Sequence, residues 1–214
     1  MYKGVWVGDE VFRDNNILIL GESHYDEEKD KGFETKLQTR DVLINYLDYR
    51  KGNNKFSHWM NFFTKIAHCI SDSYNNKQII DFWNKVYFGN YINVFCGLKD
   101  GYAKEYLWNK ANINMLNDEL FQYVNQNNIT DVICVSKLVF GVLPKYEDDV
   151  IECQNGKSKI SMIEYKANTV YEGCGICLNK DLNLYCIPHP SGFGFKPKNY
   201  NEVFNRLRKR LGIH

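Results

Sequence analysis

Four consecutive aliphatic residues, Ile17-Leu18-Ile19-Leu20, are stopped abruptly by Gly21. A strand that is apolar at every position has no face left for water, so it belongs inside a sheet covered on both sides. Asp131-Val132-Ile133-Cys134-Val135-Ser136 and Leu184-Tyr185-Cys186-Ile187 are strands of the same kind. Between them the apolar residues fall at three- and four-residue steps. Val42, Tyr46 and Tyr49 mark one helix, Trp59, Phe63, Ile66 and Ile70 the buried stripe of a second, and Gly52-Asn53-Asn54 divides them. Further helices are marked by Ile79, Ile80, Trp83 and Val86, by Ile113, Leu116, Leu120 and Val124, and by Val203, Phe204, Leu207 and Leu211. Alternation of buried strands with amphipathic helices predicts an α/β fold. Part of Tyr87 to Val94 reads as another strand. Residues 151–165 read as a hairpin closed by Asn155-Gly156, a small excursion from the main sheet.

The chain has 214 residues, which against about 150 per domain predicts one domain over residues 1–214. Lys and Arg number 27 against 26 Asp and Glu, so any nucleic-acid partner is held by a local patch rather than by net charge. No apolar run approaches the roughly 18 residues of a membrane span, and the N-terminus lacks a signal-like apolar stretch. Seven cysteines, an odd number, fit reduced thiols. The expectation is a cytoplasmic protein with no membrane partner.

Two loops carry the most specific chemistry, Gly21-Glu22-Ser23-His24-Tyr25 and Pro188-His189-Pro190-Ser191-Gly192. Each follows an apolar strand, and in open α/β sheets such loops gather around a ligand crevice. Prolines on both sides of His189 stiffen the backbone that aims its imidazole. The competing reading of that loop is a rigid surface turn.

Together, a glycine–polar–polar–x–tyrosine loop after the first strand, an asparagine beside a middle strand in Phe88-Gly89-Asn90-Tyr91, and His189-Pro190-Ser191 after the last strand resemble the uracil-DNA glycosylase superfamily. The resemblance spans roughly residues 15–210. It implies a three-layer α/β/α sandwich with a central, mainly parallel sheet. It also implies hydrolysis of the N-glycosidic bond of uracil or another damaged base flipped out of DNA, by a monomer without a cofactor. His189 then donates to the carbonyl oxygen of the leaving base, and Asn90, with Asn93 as the alternative, reads the base edge. Gly21, Tyr25 and Phe33 complete the base pocket. Pro190, Ser191, Gly192, Phe193 and Phe195 form the loop that enters the minor groove, and Arg206 to Arg210 meet phosphates. Many members carry Asp or Asn two residues after the glycine, where Ser23 stands here, so Glu22 or Asp26 is the shifted carboxylate that activates water.

Two other functions compete. Ile19 to Ser23 also resembles the first block of the Gly-Asp-Ser hydrolases, in which Ser23 would be a nucleophile and His189 its base, but no Asp stands three residues before His189. A non-catalytic nucleic-acid-binding module is the other. Cys174-Gly175-Ile176-Cys177, with Cys153 and Cys186, has a zinc-knuckle shape at irregular spacing; no metal site is expected.

Overall fold

A computed structural model describes residues 4–11, 16–24, 38–96, 102–145, 150–155, 158–190, 195 and 200–213. In chain order the elements are β1 (Trp6–Val7), β2 (Asn16–Gly21), α1 (Gln38–Arg50), α2 (Met60–Ser71), α3 (Asn76–Asn84), β3 (Tyr87–Asn90), α4 (Tyr102–Trp108), α5 (Lys110–Gln126), β4 (Ile129–Cys134), α6 (Lys137–Val142), β5 (Val150–Asn155), β6 (Ser158–Tyr165), β7 (Leu182–Cys186) and α7 (Asn201–Arg210). The strands form one sheet in the order β1-β3-β2-β4-β7-β6-β5. Its centre, β3-β2-β4-β7, is parallel, and antiparallel strands close both sides.

Strand periodicity divides the apolar residues between two cores. Ile17 and Ile19 of β2, Ile133 of β4 and Tyr185 of β7 face α1, α2, α3 and α7, where Tyr46, Phe63, Trp83 and Phe204 are buried. Leu18 and Leu20, Val132 and Cys134, and Leu184 face α4, α5 and α6 with Leu120 and Phe121. The architecture is a three-layer α/β/α sandwich, and each large side chain buried in it contributes about 1.5–3 kcal/mol of transfer free energy. Among the described residues no helix is long and apolar enough to cross a membrane.

Topology fixes where the crevice opens. From β2 the chain crosses through α1–α3 to β3 on one side, then through α4 and α5 to β4 on the other. Right-handed crossovers in opposite directions put their helices on opposite faces, and the loops after the strands part at that reversal.

Two expectations are corrected. The hairpin is no excursion, because β6 pairs antiparallel with β7 from Ser161↔Cys186 to Tyr165↔Leu182 and so continues the main sheet. Without it, β7 would present an unpaired edge of backbone donors and acceptors. Gly156 of its turn lies outside the described residues. In the aromatic stripe, Phe63, Ile66 and Ile70 are buried as expected, but Trp59, one residue before α2 starts, is 43% exposed.

Candidate functional site

The segment after β2 is not a free loop. Tyr91 N–H donates to the Gly21 carbonyl at 3.0 Å, Ile92 N–H to that of Glu22 at 2.8 Å and Cys96 N–H to that of His24 at 2.9 Å, so residues 21–24 stay extended along residues 91–96. This lays Glu22, Ser23 and His24 beside Asn90, the last residue of β3. Gly21 is required there, because a Cβ on it would collide with Oδ1 of Asn90.

With Oδ1 over Gly21, Nδ2 of Asn90 donates to Nε2 of His24 at 3.0 Å, and the Thr39 hydroxyl lies 2.6 Å from the same nitrogen. An amide N–H only donates, so Nε2 accepts, and the ring proton sits on Nδ1. Burial lowers the His24 pKa from 6.5 to about 4, which keeps the imidazole in that neutral form. Asn90 itself is 7% exposed and held in one orientation. The alternative asparagine, Asn93, instead donates to Glu119 of α5 at 3.1 Å.

A second tether fixes Glu22. Its Oε2 accepts from the Ser136 hydroxyl at 2.6 Å, and the same Ser136 oxygen caps α6 by accepting from Val139 N–H at 3.2 Å. The loops after β2 and β4 are thereby joined through a carboxylate. Ser23 differs sharply from its neighbour. Its Oγ is buried and has no hydrogen-bond partner among the described residues, although the Cys96 thiol lies close enough to feel it. Neither His24 nor His189 hydrogen-bonds to its Oγ, so Ser23 is not held as an activated nucleophile.

His189 arrives after β7 and stacks on Phe62 of α2, ring centroids 4.9 Å apart and 29° between planes. Lys65 Nζ donates to the Pro190 carbonyl at 3.1 Å, fastening the loop to the same helix. Much of His189 faces solvent, yet loss of water on the Phe62 side lowers its pKa; Glu22 opposes this shift and Lys65 adds to it. Gly21, Glu22, Ser23, His24, Asn90 and His189 line one cleft of about 450 Å³, whose apolar walls are Val42, Trp59, Phe62, Phe63 and Phe88. A cleft lined by aromatic rings together with polar side chains suits a flat heterocycle.

Among the sequence-derived site residues, Gly21, Glu22, Ser23, Asn90 and His189 meet in this cleft, and buried Pro190 adjoins it. Tyr25, Asp26, Phe33, Ser191, Gly192 and Phe193 lie outside the described residues. Phe195 is not a free wedge, because it stacks on Tyr200, centroids 5.7 Å apart, and packs on the core. The basic end of α7 is remote from the cleft. Arg210 pairs with Asp131, a fully buried carboxylate near the start of β4, and Arg208 donates to the Ile70 carbonyl at the far end of α2. Arg206 is exposed on the same helix. Cys174 Sγ donates to the Ile176 carbonyl, and no three potential metal-ligating side chains converge among the described residues.

Sequence reasoning missed His24, Thr39 and Phe62. Adjacency of His24 to Ser23 was the available signal, whereas Phe62 lies one residue off the helical stripe that drew attention to Phe63. No protein-family model matches the chain, and a search of curated proteins finds no match.

Proposed function

We propose that the cleft receives a nucleobase flipped out of DNA and hydrolyses its N-glycosidic bond, as the resemblance to uracil-DNA glycosylases implies. The observation that carries this reading is the convergence of Gly21–His24, Asn90 and His189, distant in sequence, on one aromatic-walled cleft at the sheet's switch point. Phe62, Phe63 and Phe88 offer apolar surface to the base. Asn90, its amide orientation set by His24, presents polar atoms to the base edge.

Cleavage of the C1′–N bond leaves the electron pair on the base and positive charge on the sugar. His189 donates an N–H to the base oxygen on which that charge gathers, and a neutral imidazole suffices. The water oxygen bonds to C1′ while Glu22, held by Ser136, accepts its proton; the departing base is then protonated from solvent. Glu22 thus takes over from the residue two positions after the glycine, where Ser23 has no carboxylate to offer.

The test is incubation of purified protein with single- and double-stranded oligonucleotides carrying uracil, hypoxanthine or a mismatched base, followed by alkali cleavage at abasic sites. Scission is expected on at least one substrate and should fall about 100-fold in His189→Ala, the typical cost of one donor to developing charge. Absence of scission on every substrate, or full activity in the variant, refutes the proposal.

A further inference from the structure

The cleft has an unusual approach. Residues 49–71, between Asp48 and Asp72, contain Arg50, Lys51, Lys55 and Lys65 and no Asp or Glu, in a chain whose formal net charge is +1. A run of like charge of this kind favours a polyanion nearby. It begins at the end of α1 and runs through the connection to α2, whose first turn forms the cleft wall. Arg50 is fixed by Tyr46, Thr64 and Asn76, while Lys51 and Lys55 are exposed.

Aromatic residues follow the same path. Trp59 meets Phe63 edge-on at 5.9 Å between centroids, and is 43% exposed at the cleft mouth. Further out, Phe56 is 46% exposed and rests on Tyr49, centroids 5.6 Å apart. Large exposed aromatics cost free energy in water, and here two share one connection with two exposed lysines, and one of them, Trp59, lines the cleft. Stacking faces interleaved with cations are what a single nucleic-acid strand needs, since every base has a π-face and every nucleotide a phosphate.

We propose that the α1–α2 connection and the first turn of α2 form a platform for single-stranded nucleic acid. Trp59 and Phe56 stack on nucleotides flanking the one whose base enters the cleft, and Lys51 and Lys55 meet their phosphates. This inference rests on the cleft being a base pocket, and it assigns backbone binding to the α1–α2 connection in place of the arginines of α7, of which Arg208 and Arg210 are held by Asp72 and Asp131.

Fluorescence anisotropy with a short labelled oligothymidylate, titrated at several salt concentrations, tests the platform without requiring any excision. Trp59→Ala should weaken binding about tenfold, with Phe56→Ala as the second stacking variant. Lys51→Gln/Lys55→Gln, a surface change that leaves the core intact, should reduce the slope of log affinity against log salt by about 1.4, roughly 0.7 for each phosphate that a lysine no longer neutralises. Lys209→Gln on α7 should bind as the unaltered chain does. Absence of salt-dependent binding, full binding by the platform variants, or a loss confined to Lys209→Gln overturns the platform. Binding that depends on Trp59 in a protein that excises no base upholds the platform and refutes the glycosylase; excision that depends on His189 but not on these four residues does the reverse.

Discussion

His24 is neutral because its surroundings exclude water and because two donors converge on Nε2. With a folded pKa of about 4 against 6.5 in the unfolded chain, the unfolded state binds the extra proton at intermediate pH. Stability is therefore fully present above pH 6.5 and declines as pH falls toward 4, by about 3 kcal/mol in all from this residue. Urea denaturation across that range should show the decline, and His24→Gln should flatten it. An equally steep decline in the variant would place the proton elsewhere. Protonation would also turn Nε2 from acceptor to donor and release Asn90, so base binding should weaken over the same window. Ser23 and Glu22 show how little residue identity says without direction. The serine drew the esterase comparison and marked the departure from the glycosylase pattern, yet its hydroxyl is buried, while the carboxylate of the neighbouring cleft residue Glu22 is held by Ser136.

Among the elements, α7 departed most from its sequence reading. Arginines at a helix end read equally well as dipole partners or phosphate contacts, and nothing local shows that α7 returns along the sheet to the start of β4. There Arg210 neutralises Asp131, which is fully buried, and donates to Thr130 at 3.1 Å. Arg210→Ala should cost about 3 kcal/mol, because it strands a charge in the core. Adding Asp131→Leu should recover most of that loss; chemical denaturation of the single and double variants would measure both. A neutral Arg210→Ala would mean that Asp131 is not charged in the fold. The buried strands were more legible. Ile17 to Leu20, Val132 to Val135 and Leu184 to Ile187 are apolar on both faces, and only a two-sided sheet satisfies that pattern. The site was legible where a strand end coincided with a polar motif, at Gly21 to Ser23, Asn90 and His189. Phe62 reaches the cleft, and Thr39 reaches His24, from helices, and no periodicity reveals which helix end will overhang a strand end.

At the scale of the molecule, the cleft is held by segments from both sides of the switch point. The loop after β2 is tied to α1 through Thr39 and to the loop after β4 through Ser136, and the loop after β7 is tied to α2 through Lys65. A ligand bound there touches pieces that come together only in the folded chain, so its binding energy adds to global stability. A free nucleobase at 100 times its Kd should add about 2.7 kcal/mol. For 214 residues, at about 2–4 °C per kcal/mol, this is a rise in Tm of about 5–10 °C. Thermal melts with uracil, hypoxanthine and cytosine would rank the bases without any requirement for catalysis. Asn90→Ala should abolish the rise, since it removes the amide that His24 and Gly21 hold in place. If no base raises the Tm, or the variant responds like the unaltered chain, the cleft does not read a base edge, and the proposed excision loses its pocket.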